Sequence, residues 1–170
     1  MKAPRLLPWN SFKHRALLPR FRDAFRGLWT AYREEPNLRF HLFAGTGMAV
    51  VAYATGVEGW EAAYLAVTIS LVLLAEMVNT AVERAVDLAS SGRRHPLAAV
   101  AKEVGAGVVL FAAAHALFAA AALFLVKRSL FETLNALLSA LMKHPWLVLP
   151  PLAAGLLGLF GGRSPEKTDG

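Results

Sequence analysis

Cysteine is missing from all 170 residues. That excludes disulfides, Cys-based metal sites and a thiol nucleophile. Charge is scarce as well. Asp, Glu, Lys and Arg make up 18% of the chain against 56% hydrophobic residues, and mean hydropathy is +0.44. A soluble domain is usually less apolar and more charged. The sequence has no Walker-type phosphate loop, no protein-kinase signature, no Gly-x-Ser-x-Gly and no His-Glu-x-x-His. No internal repeat is detectable. The opening "MKAPRLLPWNSFKHRALLPR" has no continuous apolar core, which argues against a cleavable signal peptide.

What charge there is has a pattern. Net charge is +6. Nine of the eighteen Lys and Arg fall in the first 39 residues, interleaved with Phe, Leu and Trp. That suits an anionic membrane surface, and nucleic acid is not an expected partner. In residues 20–34, Phe21, Phe25, Leu28, Trp29 and Tyr32 share one helical face, with Arg22, Arg26 and Arg33 mostly off it. This predicts an interfacial amphipathic helix; residues 1–20, with three prolines, are expected to be irregular. Apolar runs predict spans over 40–57, 61–83 (continuing as helix past Asp87) and 104–126. A second amphipathic helix is predicted over 129–142. Residues 145–162 make a fourth span or, given Pro150 and Pro151, a kinked or re-entrant segment.

The expected fold is therefore an all-α integral membrane bundle. Residues 1–37 form a basic segment and surface helix, 38–126 a three-span core, and 127–170 a C-terminal extension. Basic residues near the spans place the N-terminus and the 88–102 loop in the cytoplasm. Lys127 and Arg128 oppose that rule. Four spans would return the C-terminus to the cytoplasm.

The second span carries the unusual feature, "AEMVNTAVERAVD" at 75–87. With Glu76 at zero and about 100° per residue, Asn79, Thr80, Glu83 and Asp87 fall at about −60°, +40°, −20° and +20°. All five share one stripe, crowded toward the cytoplasmic end. A polar seam between helices is one reading and an ion pathway another, since intramembrane carboxylates are functional by default. A surface active site is the third, because an aqueous co-substrate can reach that level. Glu34, Glu35, Arg93, Arg94, His95 and Lys102 fall near the same level. Carboxylates suit Mg²⁺, cations neutralise phosphate, and a carboxylate can deprotonate a hydroxyl. Together they suggest phosphoryl transfer to a lipid alcohol. His115, within the third span, is read as a helix-packing residue.

"AEMVNTAVERAVDL" followed by "HPLAAVAKEVGAGVVL" closely resembles the bacterial integral-membrane diacylglycerol kinase and undecaprenol kinase family. The signature Glu-x-x-Asn-(Thr/Ser)-Ala-x-Glu is complete as Glu76, Asn79, Thr80, Ala81 and Glu83. "FRDAFRGL" and "EPNLRFHL" resemble the family's surface helix and its junction to the first span. The resemblance covers roughly residues 20–126. It implies an ATP- and Mg²⁺-dependent lipid kinase of the bacterial cytoplasmic membrane, assembled as a homotrimer. Glu76 matches the catalytic base and Asn79 its supporting residue. Glu83 and Glu35 match the metal carboxylates, with Glu34 the alternative to Glu35. Asp87 matches a further acidic position. Arg93, Arg94 and His95 fall on the ATP loop, and Lys102 on the lysine that meets the phosphates. Glu103 stands where the family often has Asp, with a longer reach. "HPLA" and "NLRFHL" look closer to the undecaprenol branch than to the diacylglycerol branch. A catalytically silent scaffold of the same fold is the alternative. The segment 129–170 has no counterpart in the minimal three-span family.

Overall fold

A computed structural model describes residues 17–126 and 129–161, with side chains over 18–126 and 129–156. The N-terminal stretch to residue 16, the basic pair at 127 and 128, and the tail from 162 lie outside the described residues. Every regular element among the described residues is helical: α1 (Leu17–Glu34), α2 (Pro36–Ala54), α3 (Gly59–Ala89), α4 (Pro96–Ala121), α5 (Leu130–Lys143) and α6 (Leu149–Gly161). A π turn (Ala122–Val126) extends α4, and a 3₁₀ turn (Pro145–Val148) precedes α6.

The punctuation is local chemistry. Residues 17–20, expected to be irregular, instead form the first turn of α1. Pro19 is tolerated there because N–H groups of a first turn have no intrahelical acceptor. Pro36 stops α1 and opens α2 at N1, after Glu35 in an extended conformation. Arg39 Nη1 donates to the carbonyls of Arg33 (2.7 Å) and Tyr32 (3.4 Å), satisfying orphan acceptors at the end of α1. This guanidinium fixes the α1–α2 corner. Ser91 and Gly92, both at positive φ, end α3. His95 then caps α4 by accepting from the Leu97 N–H at 3.2 Å, with Pro96 at N1. Ser129 and Glu132 form a reciprocal capping box on α5. The double proline that argued against a regular 145–162 helix falls in the first turn of α6, where proline is tolerated.

Among the described residues, two helical stretches are long and apolar enough to cross a membrane: Gly59–Ala89 and Pro96–Val126, 31 residues each. At 1.5 Å per residue each is about 46 Å long, more than the ~30 Å hydrocarbon core. Only 33% and 22% of their most apolar windows are buried. The core helix of a soluble protein is mostly buried, so these helices face outward like lipid-contacting spans. Their large side chains point the same way: Leu71, Leu74, Leu110, Phe111, Leu117 and Phe118 are all exposed.

Small residues contribute to the helix contacts, as expected where backbones must approach closely. α3 and α4 pack together through Val72, Ala75 and Ala112. A second cluster joins α2, α3 and the π turn through Ala52, Leu65, Leu123 and Phe124. Gly45 of α2 lets α3 approach, since a Cβ there would lie 2.7 Å from Ile69 Cγ2. His115 hydrogen-bonds Tyr64 Oη at 3.2 Å and so ties α4 to α3, in keeping with a packing role.

The C-terminal extension folds back on this core. Thr133 Oγ1 donates to the Phe124 carbonyl in the π turn at 3.1 Å. The His144 ring meets Tyr53 near the end of α2, with centroids 6.5 Å apart. The chain then runs back along α2, so that Gly155 lies against Phe43 and Tyr32 Oη donates to the Ala154 carbonyl at 3.3 Å. Residues 145–156 are thus antiparallel to α2.

Candidate active site

The polar stripe on α3 is real as a stripe, but its members meet three different neighbours. Glu76 is 4% exposed and faces α2, where His41 Nε2 lies 3.2 Å from its Oε1. An isolated buried carboxylate would be strongly disfavoured, and His41 supplies the compensating contact. One turn on, Thr80 Oγ1 donates to the Glu76 carbonyl at 3.0 Å, so it satisfies itself within the helix.

Asn79 faces α4. Its Nδ2 donates to Glu83 Oε1 at 2.9 Å. Its Oδ1 is buried and has no hydrogen-bond partner among the described residues. That oxygen lies over Gly105 of α4, where any Cβ would collide with it. The glycine therefore makes room for the amide. An orphaned, buried acceptor is uncommon in folded proteins.

Asp87, a turn further along, is half-exposed and pairs with Lys102 Nζ at 2.7 Å. Both residues were expected at a nucleotide site, and the structure brings them together across α3 and α4. Glu103, next in sequence, is exposed. Arg93 and Arg94 are exposed on the 90–95 loop, and their guanidinium groups meet no partner among the described residues. His95 is occupied as the helix cap.

The two candidate metal carboxylates are engaged by different partners. Glu83 is held by Asn79, and Glu35 lies 3.6 Å from Arg84 Nη2. The same guanidinium binds Glu34 Oε2 at 2.7 Å. Among the described residues no three His, Asp or Glu groups come close enough to hold an ion by themselves. Glu35 and Glu83 both lie within electrostatic reach of Glu76, however. The result is an acidic corner where α1, α2 and α3 meet, with the basic 93–102 segment on its α4 side.

Sequence reasoning missed two residues. His41 lies near the start of the first apolar run, and nothing in the run indicates what it faces. Arg84 sits at about +80° from Glu76, off the stripe. It reaches sideways to the end of α1, and only the α1–α2 corner makes that contact possible.

A family model described as prokaryotic diacylglycerol kinase matches residues 22–124. Among curated proteins, a diacylglycerol kinase of Synechocystis is 38% identical over 109 residues, 64% of this chain and 62% of that protein. An undecaprenol kinase of Bacillus subtilis is 34% identical over 104 residues, 59% of this chain and 84% of that protein. The match to the Synechocystis protein thus takes in less than two thirds of its length. No solved structure matches. All of α5 and α6 lies beyond the family match.

Proposed function

The chain belongs to the prokaryotic diacylglycerol kinase family, and on that premise we propose that it is a lipid kinase. It transfers the γ-phosphate of ATP to the hydroxyl of a membrane lipid alcohol. The observation that carries this reading is Glu76, a buried carboxylate on an apolar helix, held by His41 beside an acidic corner.

The acceptor hydroxyl meets Glu76 at the oxygen that His41 does not hold. Glu76 takes the hydroxyl proton as the oxygen attacks the γ-phosphorus, the role of a positioned general base. A new O–P bond forms, the bond to the β,γ-bridging oxygen breaks, and ADP leaves with that electron pair. His41 fixes the orientation of the carboxylate. Asn79 holds Glu83 in place and leaves its own Oδ1 as an acceptor.

Two carboxylates fit Mg²⁺, which keeps some waters and takes further ligands from substrate phosphates. Glu35 and Glu83 would hold it. When bound, the ion neutralises charge on the phosphate oxygens. Arg93, Arg94 and Lys102 attract the polyphosphate, with Asp87, His95 and Glu103 around the nucleotide. Releasing Lys102 from Asp87 requires breaking only an exposed pair, worth about 0.2–1 kcal/mol.

The site then lies at the cytoplasmic face of a bacterial inner membrane. α1 lies on the anionic lipid surface with Phe21 and Phe25 directed into it, and the assembly is a homotrimer. Undecaprenol is the acceptor we favour, from the "HPLA" and "NLRFHL" stretches, with diacylglycerol second. The test is transfer of labelled phosphate from ATP with Mg²⁺ by the purified protein in mixed micelles. Offering both lipids in competition identifies the acceptor. Absence of transfer to either would overturn the kinase reading and favour a silent scaffold.

A further inference from the structure

A groove of about 970 Å³ runs beside α2 from His41 to Val51, about 15 Å of helix. Its lining includes small residues that leave space open, among them Gly45, Gly47, Ala113 and Ala116. Its opposite wall comes from the extension: Leu137 and Leu141 of α5, Leu147 and Val148 of the 3₁₀ turn, and Pro151 and Leu152 of α6. Only His41 and Thr68 bring polar side chains to the lining. The Thr68 hydroxyl is buried and donates to the Tyr64 carbonyl at 2.8 Å, so it is spent. The single polar end of the groove is therefore His41, in contact with Glu76.

A site with this layout suits one kind of occupant. The molecule must be apolar along its length and present a polar group at the Glu76 end. We propose that Leu137–Leu152 forms the outer wall of a channel that takes the hydrocarbon tail of the acceptor lipid and selects acceptors by tail length. The inference rests on the lipid-kinase reading for the identity of the hydroxyl group. It goes beyond that reading because every wall residue lies outside the family match at 22–124. On α5 the division of faces agrees with it. Leu137 and Leu141 are half-buried toward the groove, whereas Leu134, Leu138 and Met142 are exposed. A surface helix serving only as an anchor has no need to turn two leucines toward the groove.

The experiment uses the full chain with Leu137→Trp and Leu141→Trp, which fill the groove from the extension, and Leu138→Trp as a control on the exposed face. Phosphate transfer is measured to a series of lipid alcohols that share a headgroup and differ in tail length. The two groove variants should raise KM for the longest acceptor about tenfold. KM for ATP and turnover of the shortest acceptor should stay at the wild-type value, and Leu138→Trp should change nothing. An unaltered length profile in both groove variants, with wild type active, overturns the channel. If wild type phosphorylates no lipid, the kinase reading fails, and a second measurement still decides the groove. A diacylglycerol bearing a diazirine at the end of one acyl chain is photolysed with wild type. Labelling within 137–152 supports the channel. Labelling confined to the outer faces of α3 and α4 contradicts it, and the same measurement decides if the tryptophan variants do not fold.

Discussion

Gly105→Ala and Gly107→Ala differ by two positions on one helix and should have opposite effects. Alanine in a helix interior normally gains roughly 0.5–1 kcal/mol over glycine. At Gly107 a Cβ would meet nothing within 4 Å, so that gain should be realised. At Gly105 the Cβ would collide with Asn79 Oδ1, which has no room behind it because it is already buried. Asn79 must rotate, and its 2.9 Å bond to Glu83 is then lost. Overpacking of this kind costs about 1–3 kcal/mol, and a hydrogen bond to a charged group is worth about 1.5–3 kcal/mol. If half of the latter acts on turnover, kcat falls about three- to tenfold, since ~1.4 kcal/mol is a factor of ten. The assay pairs a thermal melt in detergent with phosphate transfer to lipid. Gly107→Ala should melt at or above wild type with full activity, while Gly105→Ala should melt lower and turn over at least several-fold more slowly. Equal behaviour of the two variants would refute the placement of Asn79 against α4.

Three further outcomes follow from single contacts. Tyr64→Phe removes the hydroxyl that meets His115 between α3 and α4; it should lower unfolding free energy in detergent by about 0.6–2 kcal/mol with kcat unchanged. Ser129→Ala breaks the capping box and should cost about 1 kcal/mol, seen as faster amide exchange in the first turn of α5 while α3 exchange stays constant. Arg84→Met releases Glu34 and Glu35; stability should change by less than about 1 kcal/mol, but KM for ATP with Mg²⁺ should rise several-fold. An unchanged KM would count against Glu35 as a metal carboxylate.

Periodicity made α3, α4 and α5 legible in the sequence because it reports a helix's own faces. It also aligned Glu76, Asn79, Glu83 and Asp87, which do share a side of α3. It does not report which neighbour covers each face. His41, Gly105 and Lys102 each cover one part of the stripe; His41 is brought there on α2 and the other two on α4, past a loop. The α6 segment was legible only as a choice between a span and a kinked segment, for a different reason. Proline disrupts a helix only where an N–H is needed, and Pro150 and Pro151 occupy the turn where it is not. The groove was invisible for the same reason as the site contacts: Leu137 and Leu141 look like Leu134 and Leu138 until the helix is docked.

Glu76→Gln is the most direct test of the central claim. Glutamine keeps the volume and can still meet His41, but it takes up no proton. General-base catalysis contributes about 10²–10⁴-fold, so kcat for lipid phosphorylation should fall by at least about a hundredfold. Binding of ATP with Mg²⁺, measured separately, should stay within a few-fold of wild type. A Glu76→Gln protein that phosphorylates its lipid at the wild-type rate would contradict the account.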